Sequence, residues 1–312
     1  MSDFADQFQS LHVDRSSGHV KPHKAVLLLA VIDTIEAAGE EAANRFEFGE
    51  ALREPFTGYF ELVRRGNDQA NAILPFFHMK TEDFWRLRVQ PGYEKTLEVM
   101  KHPGGARQLT EAVQHAELDP ALFDLLRDPA QRKKLREALV SRWFPERADA
   151  VWRRIELEGR AGAYGRRIES LAEEGCDAAH VWEEAPEQEV RDTAFRRVVT
   201  EAYDYRCTAC GLRLVHEGRS IVEACHLIPW SESHDDDPRN GLALCRNHHW
   251  AMDRHLIAPG PDMIWHASRN LDKRIDGERR LLEIRGQPVI KPVRERFGPK
   301  AVGLDYRVAR LA

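Results

Sequence analysis

Two pairs of metal-binding residue types, separated by 34 intervening residues, constrain the fold of this chain more than any other feature. Cys207 and Cys210 form a C-x-x-C pair, and Cys245 and His248 form a C-x-x-H pair. Two ligands spaced in this way can grip one ion from a single tight turn, and a second such pair completes a tetrahedron. Because thiolate and imidazole then fill every position, the pattern predicts a closed, structural Zn²⁺ site.

The cysteine usage also favours a metal site over a set of disulfides. The chain has five cysteines, and four of them lie between residues 207 and 245. In a reducing compartment, crowded cysteines with C-x-x-C spacing indicate metal binding. The longest apolar run, AVLLLAVI at residues 25–32, is far too short to span a bilayer, and no secretory signal is recognisable. We therefore expect a cytoplasmic protein that has no membrane partner.

Apolar periodicity predicts a mostly helical first part. HKAVLLLAVIDTIEAAGE at residues 23–40 is typical of a buried helix that ends at Gly39. FWRLRV at residues 84–89 alternates apolar and basic residues, which predicts a short strand. The segment 148–175 indicates a helical connector, and RDTAFRRVVTEAYDYR at 191–206 predicts the helix that leads into the first cysteine pair.

The length and the distribution of charge suggest how the chain is organised. A chain of 312 residues exceeds one ordinary core, so we predict a domain at 1–165, an acidic linker at 166–190 and a second domain at 191–312. Residues 169–189 hold eight acidic and no basic residues, whereas residues 266–312 hold twelve basic and six acidic residues. The net charge of −5 argues against nucleic acid, but a basic C-terminal tail would let one face attract phosphate. The alternative is that both runs are ordinary solvated helix faces.

Three segments of the second domain resemble the HNH endonuclease family, whose fold is a β-hairpin and a helix around one metal ion. They are IVEACHLIPWS at 221–231, DPRNGLALC at 237–245 and CRNHHWAMD at 245–253. The resemblance covers residues 191–257, and the zinc pairs match family members that carry a structural zinc. It implies an α+β chain with a helical, DNA-reading first domain, a small sheet, a helical linker and a zinc-stabilised ββα-metal nuclease domain.

The resemblance implies roles for three residues in phosphodiester hydrolysis. His226 takes the position of the general base, because a neutral imidazole can accept a proton from water. Asn240 holds the loop that orients His226, and in some family members it contacts the metal. His249 binds a divalent ion, Mg²⁺ or Mn²⁺, that contacts the scissile phosphate and the leaving oxygen. The adjacent histidines, His248 and His249, are thus predicted to serve two different ions.

Two carboxylates are candidate partners of the catalytic ion. Asp253 lies one helical turn after His249, so it can share the ion or orient the imidazole, with a plain helix salt bridge as the alternative. Many family members have an acidic ligand directly before the base, where this chain has Cys225. We interpret Cys225 as a buried apolar residue and consider Glu223 as the substitute ligand. The acidic run at 235–237 is interpreted as a solvated, turn-forming loop.

Three segments of the first domain resemble the sulfur-binding domain that is joined to HNH modules in type IV restriction endonucleases. They are VKPHKAVLLLAVIDTI at 20–35, ILPFFHMKTEDFWRL at 73–87 and REALVSRWFP at 136–145. Such enzymes attack phosphorothioate-modified DNA, in which sulfur replaces one non-bridging phosphate oxygen. Sulfur is larger, more polarisable and a poorer hydrogen-bond acceptor than oxygen. A reader of this mark therefore needs a small apolar pocket ringed by cations.

This second resemblance, which covers residues 5–160, implies a set of pocket and phosphate-contacting residues. They are His23, Lys24, Leu74, Pro75, Phe76, Phe77, His78, Lys101 and Arg107. The apolar wall is expected from residues 74–77, with the aromatic rings as core residues in the alternative interpretation. Lys24 stands where family members can have arginine, and Leu74 stands where tyrosine is frequent, so the pocket departs from the family pattern at two positions.

The two resemblances together predict a type IV restriction endonuclease that binds phosphorothioated double-stranded DNA and cuts it near the mark. One alternative is an HNH endonuclease that reads 5-methylcytosine or an unmodified sequence. Another is a non-catalytic, zinc-containing DNA-binding module. Because both strands must be broken, we also predict a homodimer, with its interface in the connector at residues 148–174.

Overall fold

The computed structural model describes residues 4–14, 19–174 and 185–312, and these residues contain two hydrophobic cores. The chain divides into one unit of Met1–Gly159 with Glu217–Arg219, and a second unit of Arg160–His216 with Ser220–Ala312. Helices predominate and the strands form small antiparallel pairs, so the predicted α+β class is confirmed. Within the described ranges, no helix has the length and apolar character needed to cross a bilayer.

The division at Gly159 falls inside a helix, and the predicted domain boundary at residue 165 stays a prediction. Part of the predicted acidic linker, residues 175–184, lies outside the described residues together with Cys176.

The first unit is built mainly from helices. Its elements are α1 (Phe4–Gln9), α2 (His23–Ala38), α3 (Glu50–Val63), α4 (Ile73–His78), β1 (Trp85–Val89), α5 (Glu94–Val99), α6 (Ala106–Ala112), β2 (Val113–Leu118), α7 (Pro120–Arg127), α8 (Pro129–Trp143) and the first part of α9 (Ala148–Glu173). β1 pairs antiparallel with β2, with Trp85 opposite Leu118. The strand expected from the alternation in FWRLRV is therefore confirmed.

Helix α2 lies in the core of the first unit, as its apolar run predicted. Every residue from Ala25 to Ile32 is at most 1% exposed. The helix ends at Gly39, whose φ of +59° is readily adopted only by glycine. One buried charge on this helix, Asp33, accepts a hydrogen bond from the Tyr59 hydroxyl at 2.6 Å and is ion-paired with Arg136. The pairing offsets part of the cost of burying that carboxylate, because burial still raises the pKa of Asp33 to about 7.

The part of the chain after residue 187 carries most of the short strands. Its elements are α10 (Gln188–Ala202), β3 (Val215–His216), β4 (Arg219–Ser220), β5 (Val222–His226), α11 (Trp230–Ser233), β6 (Gly241–Cys245), α12 (Arg246–Asp253), β7 (Ile257–Pro259), β8 (Trp265–Ala267), α13 (Asp276–Glu283) and α14 (Ala301–Ala309). The segment 191–206 was expected to be helical, and α10 confirms this over most of its length.

A hairpin followed by a helix forms the centre of the second unit. β5 and β6 pair antiparallel, with Val222 opposite Cys245 and His226 opposite Gly241. α12 starts immediately after β6, because Cys245 ends the strand and is the N-cap of the helix. Helix α10 packs so closely that a Cβ atom at Gly241 would lie 2.6 Å from Val199 Cγ2. This order of strand, strand and helix is the ββα arrangement that the HNH resemblance implied.

The C-terminal segment, residues 266–312, is a folded part of the second unit, and the predicted attraction of its basic residues to phosphate stays a prediction. Val289, Phe297 and Leu304 are at most 3% exposed and belong to the core that surrounds the hairpin. Burying these apolar side chains fixes the backbone between them. Arg307, one of the supposed tail cations, is itself only 3% exposed.

Candidate active site, metal sites and cavity

The two ligand pairs predicted from their spacing come together in the second unit. One ligand atom from each of Cys207, Cys210, Cys245 and His248 lies within 4.8 Å of the other three. His248 Nδ1 is 3.1 Å from Cys245 Sγ and 3.4 Å from Cys207 Sγ. Hydrogen bonding from Cys207 lowers the pKa of Cys245 against the opposing effect of burial, and hydrogen bonding from His248 lowers it further. Three sulfurs and one imidazole are a donor set that fits Zn²⁺.

A tight turn holds the first pair against the hairpin. Gly211 adopts a φ of +71°, and its amide donates to the Cys207 carbonyl at 2.8 Å. The Thr208 amide donates to the Ala243 carbonyl, also at 2.8 Å, and so fastens the turn to β6. The second pair starts where β6 ends, so this main-chain contact brings the two pairs close to each other.

The adjacent histidines contact different groups. His249 Nδ1 lies 3.0 Å from Glu223 Oε2, and its Nε2 lies 3.3 Å from Asp253 Oδ2. His248 instead faces the cysteine sulfurs. Successive residues of an α-helix point about 100° apart. One short helix therefore presents its two imidazoles to two separate sets of donors.

A second group of possible metal donors combines Cys225, His249 and Asp253, whose ligand atoms lie within 4.8 Å of one another. Burial raises the pKa of the Cys225 thiol, which is 2% exposed. Because Mg²⁺ and Mn²⁺ prefer oxygen donors to sulfur, this sulfur is a poor ligand for either ion. The remaining imidazole and carboxylate are donors that Mg²⁺ and Mn²⁺ accept. Glu223 lies beside the opposite ring nitrogen of His249 and also accepts from Arg246 Nε at 3.0 Å.

His226 lies at the end of β5 in a well-defined orientation. Its ring stacks on Phe195, with 3.8 Å between the centroids and 3° between the planes. Its Nε2 is 2.9 Å from Asp236 Oδ1. Arg307 donates to the His226 carbonyl at 2.6 Å and to Asp253 Oδ1 at 3.3 Å, so one buried guanidinium contacts both halves of the site. The His226 side chain is 21% exposed, which leaves it accessible to water.

Asn240 uses its side-chain amide to close the loop between β5 and β6. Nδ2 donates to the carbonyls of Ile228 at 3.0 Å and Asp235 at 2.9 Å, and Oδ1 accepts from the Ile228 amide at 2.9 Å. The residue is 3% exposed. These contacts suit the loop-holding role that the family resemblance implied, and the metal-contacting role stays a prediction.

The acidic run at 235–237 is not solvated, and our interpretation of it was wrong. Asp236 and Asp237 are each 1% exposed, and both form ion pairs. Asp236 Oδ2 accepts from the Tyr164 hydroxyl and from Arg191, each at 3.1 Å. These partners lie 72 and 45 residues away in the chain. No local signal in a run of three aspartates points to them, and sequence reasoning therefore missed all of this network.

A cavity of about 800 Å³ lies in the first unit beside the start of α2. Five residues predicted to contact the mark line it: His23, Lys24, Leu74, Pro75 and His78. Other lining residues were not singled out in the sequence: His12, Val13, Asp14, Lys21, Asn67, Asp68, Gln69, Asn71, Thr81 and His102. Lys21 and Thr81 lie within the segments that carry the resemblance, whereas the other eight come from loops outside those segments, and only the folded chain brings all of them together.

Four of the residues that were predicted to contact the sulfur or the phosphates do not line this cavity. Phe76 and Phe77 are fully buried, which supports the alternative interpretation of the aromatic segment as core. Lys101 and Arg107 also lie outside the lining, and Arg107 pairs with Glu111 at 2.8 Å on the surface. The apolar part of the cavity is therefore smaller than the predicted wall, because the rings turn toward the core.

The cavity lining combines apolar carbon, imidazole rings and two paired cations, Lys24 with Glu82 and Lys21 with Asp68. Lys24 Nζ lies 2.5 Å from Glu82 Oε1 and 2.8 Å from Thr81 Oγ1. Burial lowers the pKa of His23 and of His78, which keeps both rings uncharged at neutral pH. Neutral rings beside apolar carbon form a surface of low charge density, which suits a soft, polarisable atom.

Comparison with known families and structures gives three findings. The family described as ScoMcrA-like, DNA sulfur-binding domain matches residues 1–160, and the family described as HNH endonuclease matches residues 207–258. A solved structure titled "Modification dependent TagI restriction endonuclease" is 19% identical, with a TM-score of 0.32, over 41% of this chain and 40% of that chain. Comparison with curated proteins gives no match.

Proposed function

Because this chain belongs to the ScoMcrA-like DNA sulfur-binding domain family and contains an HNH endonuclease domain, we propose that it is a type IV restriction endonuclease for phosphorothioated double-stranded DNA. The first unit binds the sulfur mark, and the HNH domain hydrolyses a phosphodiester bond nearby. The observation that carries the sulfur specificity is the cavity beside α2, which lies within the matched residues.

The lining of the cavity supports sulfur as the atom that is recognised. Leu74 and Pro75 offer apolar carbon, and His23 offers a neutral ring, and contact with these groups suits a soft, polarisable sulfur atom. A phosphorothioate keeps one negative charge, which needs a cation close by. The Lys24 ammonium has three N–H donors, of which Glu82 and Thr81 accept two. In this proposal, the third N–H of Lys24 donates to the non-bridging phosphate oxygen that sulfur does not replace.

His249 and Asp253 are the residues that would hold the catalytic divalent ion, for which Mg²⁺ and Mn²⁺ stay our prediction. When bound, such an ion compensates the charge that develops on the scissile phosphate and the leaving oxygen. Glu223 accepts the Nδ1 proton of His249 and so turns Nε2 toward Asp253. A carboxylate behind a metal-binding histidine orients the ring in this way. We therefore assign Glu223 an orienting role in place of the ligand role considered from the sequence.

His226 acts as the general base toward the attacking water, and Asn240 holds its loop. Cys207, Cys210 and Cys245 with His248 would hold a structural Zn²⁺, which would connect the start of α12 to the turn before the hairpin. The predicted homodimer stays a prediction. Sedimentation that finds only monomers, with and without DNA, would contradict it.

The decisive experiment compares binding of the full chain to identical duplexes that differ by one sulfur atom, with each sulfur configuration tested separately. We expect at least about tenfold tighter binding of one sulfur-containing duplex, equivalent to about 1.4 kcal/mol. Equal dissociation constants would overturn the sulfur specificity. A preference for a duplex with 5-methylcytosine would support the alternative reader.

Cleavage of the same duplexes separates an enzyme from a non-catalytic binding module. We expect cleavage near the sulfur mark in the presence of Mg²⁺ or Mn²⁺, and His226→Ala should bind normally while cleaving at least about 100-fold more slowly. A wild-type chain that binds the marked duplex but cleaves nothing with either ion would support the binding module.

A further inference from the structure

We propose that Asp236 is a positioning residue for His226, which accepts the Nε2 proton and leaves Nδ1 as the nitrogen that takes the proton from water. This inference rests on the proposed role of His226 as the general base. It assigns a function to a carboxylate in the loop between β5 and β6, well separated in sequence from the predicted catalytic residues on α12.

The first step of the argument is the hydrogen bond between the two side chains. Nε2 of His226 lies 2.9 Å from Asp236 Oδ1, and the carboxylate is 1% exposed. An ionised carboxylate can only accept hydrogen bonds, so the ring nitrogen that it contacts must carry the proton. A neutral imidazole has one protonated nitrogen, and Nδ1 is then the basic one. Within the described ranges, no protein group hydrogen-bonds to Nδ1.

The second step is that two buried donors hold the other oxygen of Asp236. Its second oxygen, Oδ2, accepts from Arg191 at 3.1 Å, and the Arg191 side chain is 8% exposed. The Tyr164 hydroxyl donates to the same oxygen at 3.1 Å. Burial and the neighbouring carboxylate raise the pKa of Tyr164, so the phenol keeps its proton and acts as a donor. Arg191 can only donate and the phenol donates as well, so Asp236 acts as the acceptor toward both.

The third step is that the contacts of the His226 imidazole allow only one orientation of the ring. Stacking on Phe195 fixes the plane of the His226 imidazole, with 3° between the two planes. Stacking alone does not distinguish the two ring orientations that are related by a half-turn about the Cβ–Cγ bond. The bond to Asp236 removes this ambiguity, because only one orientation brings Nε2 to the carboxylate. Plane, rotation and tautomer are thus each determined by a named contact.

The proton transfer that follows is balanced. One O–H bond of the attacking water breaks, its proton bonds to Nδ1, and the oxygen forms a new bond to phosphorus. The bond between phosphorus and the leaving oxygen breaks, and that oxygen keeps the electron pair and then takes a proton from solvent. His226 becomes an imidazolium whose Nε2 proton remains bonded to Asp236. The carboxylate therefore stabilises the charge that appears on the ring.

The kinetic test compares Asp236→Asn with Asp237→Asn in the full chain. Asp237 is a matched control, because it is equally buried in the same loop and is ion-paired with Arg239 and Lys300, away from His226. We expect Asp236→Asn to lower kcat about 100-fold or more, with the KM for DNA unchanged. Tyr164→Phe should lower kcat less, by about fivefold, because Arg191 still holds the carboxylate. Equal losses of kcat in the two aspartate variants would show a merely structural role and overturn the inference.

A double-mutant cycle separates this inference from the role of His226 itself. If Asp236 acts through His226, Asp236→Asn added to His226→Ala should change the single-turnover rate by less than about twofold. A rate for His226→Ala equal to that of wild type would instead overturn the general-base assignment. An inactive His226→Ala beside a fully active Asp236→Asn would leave the base in place and sink the positioning role.

Nuclear magnetic resonance of the wild-type chain provides a readout that does not depend on the folding of any variant. Two-bond correlations between ring nitrogens and ring protons, assigned by comparison with His226→Gln, should show His226 as the Nε2–H tautomer. Observation of the Nδ1–H tautomer would contradict the proposal directly.

Discussion

The two ring nitrogens of His249 face two carboxylates that differ in their own surroundings. Glu223, beside Nδ1, also accepts a hydrogen bond from Arg246, so part of its charge is compensated. Asp253, beside Nε2, is 52% exposed and is contacted on its other oxygen by Arg307. The more open carboxylate is better suited to bind an ion that must also reach DNA. In this proposal, the contacts of single atoms distinguish Asp253, which would bind the ion, from Glu223, which would orient the His249 ring.

We expect Asp253→Asn to raise the Mn²⁺ concentration needed for half-maximal cleavage by about 100-fold, because it removes a charged ligand. Glu223→Gln should raise it by only about tenfold, because its amide oxygen can still accept the Nδ1 proton. Cleavage rates measured over a Mn²⁺ titration test both values. A larger effect for Glu223→Gln would identify Glu223 as the ligand.

We expect Leu74→Ser to weaken binding of sulfur-containing DNA about fivefold while leaving binding of the unmodified duplex unchanged. The substitution removes apolar surface from the cavity, where about 0.8 kcal/mol is associated with each buried methylene group. Leu125→Ser is the matched control, since Leu125 is 37% exposed on α7 and outside the lining. Equal losses on both duplexes would show that Leu74 does not contact the sulfur.

Helix α12 presents both proposed ion sites although it is only eight residues long. An isolated helix of this length is not stable in water, so α12 depends on tertiary contacts. His248 and the preceding Cys245 belong to the four-donor cluster, and His249 and Asp253 belong to the catalytic face. An ion bound at the cluster would therefore support the catalytic face through the same helix.

We expect the wild-type chain to contain one zinc ion and Cys210→Ser to lose it, as measured by metal analysis. The thermal midpoint of Cys210→Ser should fall by roughly 10 °C, because loss of a structural zinc ligand removes several kcal/mol. Cys210 is exposed, so its replacement causes little loss of packing. Cys225→Ala is the control that should retain the ion. Full zinc occupancy in Cys210→Ser would contradict the four-ligand site.

The whole molecule has two cores that are stabilised by different means. The first unit has a long apolar helix and a buried ion pair, in which Arg136 contacts Asp33 and also lies 2.7 Å from Glu36. The second unit has shorter elements, and its core surrounds the hairpin next to the four-donor cluster. We therefore expect each unit to be destabilised by a different change.

We expect calorimetry to show two unfolding transitions. Arg136→Met should lower the free energy of unfolding of the first unit by about 3–5 kcal/mol, because breaking the buried ion pair leaves Asp33 without its cationic partner. A zinc chelator should lower the midpoint temperature of the transition that belongs to the second unit. Arg107→Met is the control that should change neither, since that side chain is 90% exposed. A single transition that shifts in every case would show that the two cores unfold together.

The sequence by itself determined the features that depend on neighbouring residues. The C-x-x-C and C-x-x-H spacings, the apolar run of α2 and the alternation in β1 each report a local geometry, and each was recognised without a structure. The motif around His226 and His249 was recognised for the same reason, since hairpin and helix are consecutive in the chain.

Only the tertiary structure decided the contacts that join distant segments. Asp236 meets Tyr164 across 72 residues, and the cavity beside α2 collects side chains from several loops. Tertiary packing also buries Phe76 and Phe77 in the core, although the sequence had suggested that they form the wall of the cavity. Burial and pairing depend on which surfaces the whole chain brings together, and periodicity and spacing contain no information about that.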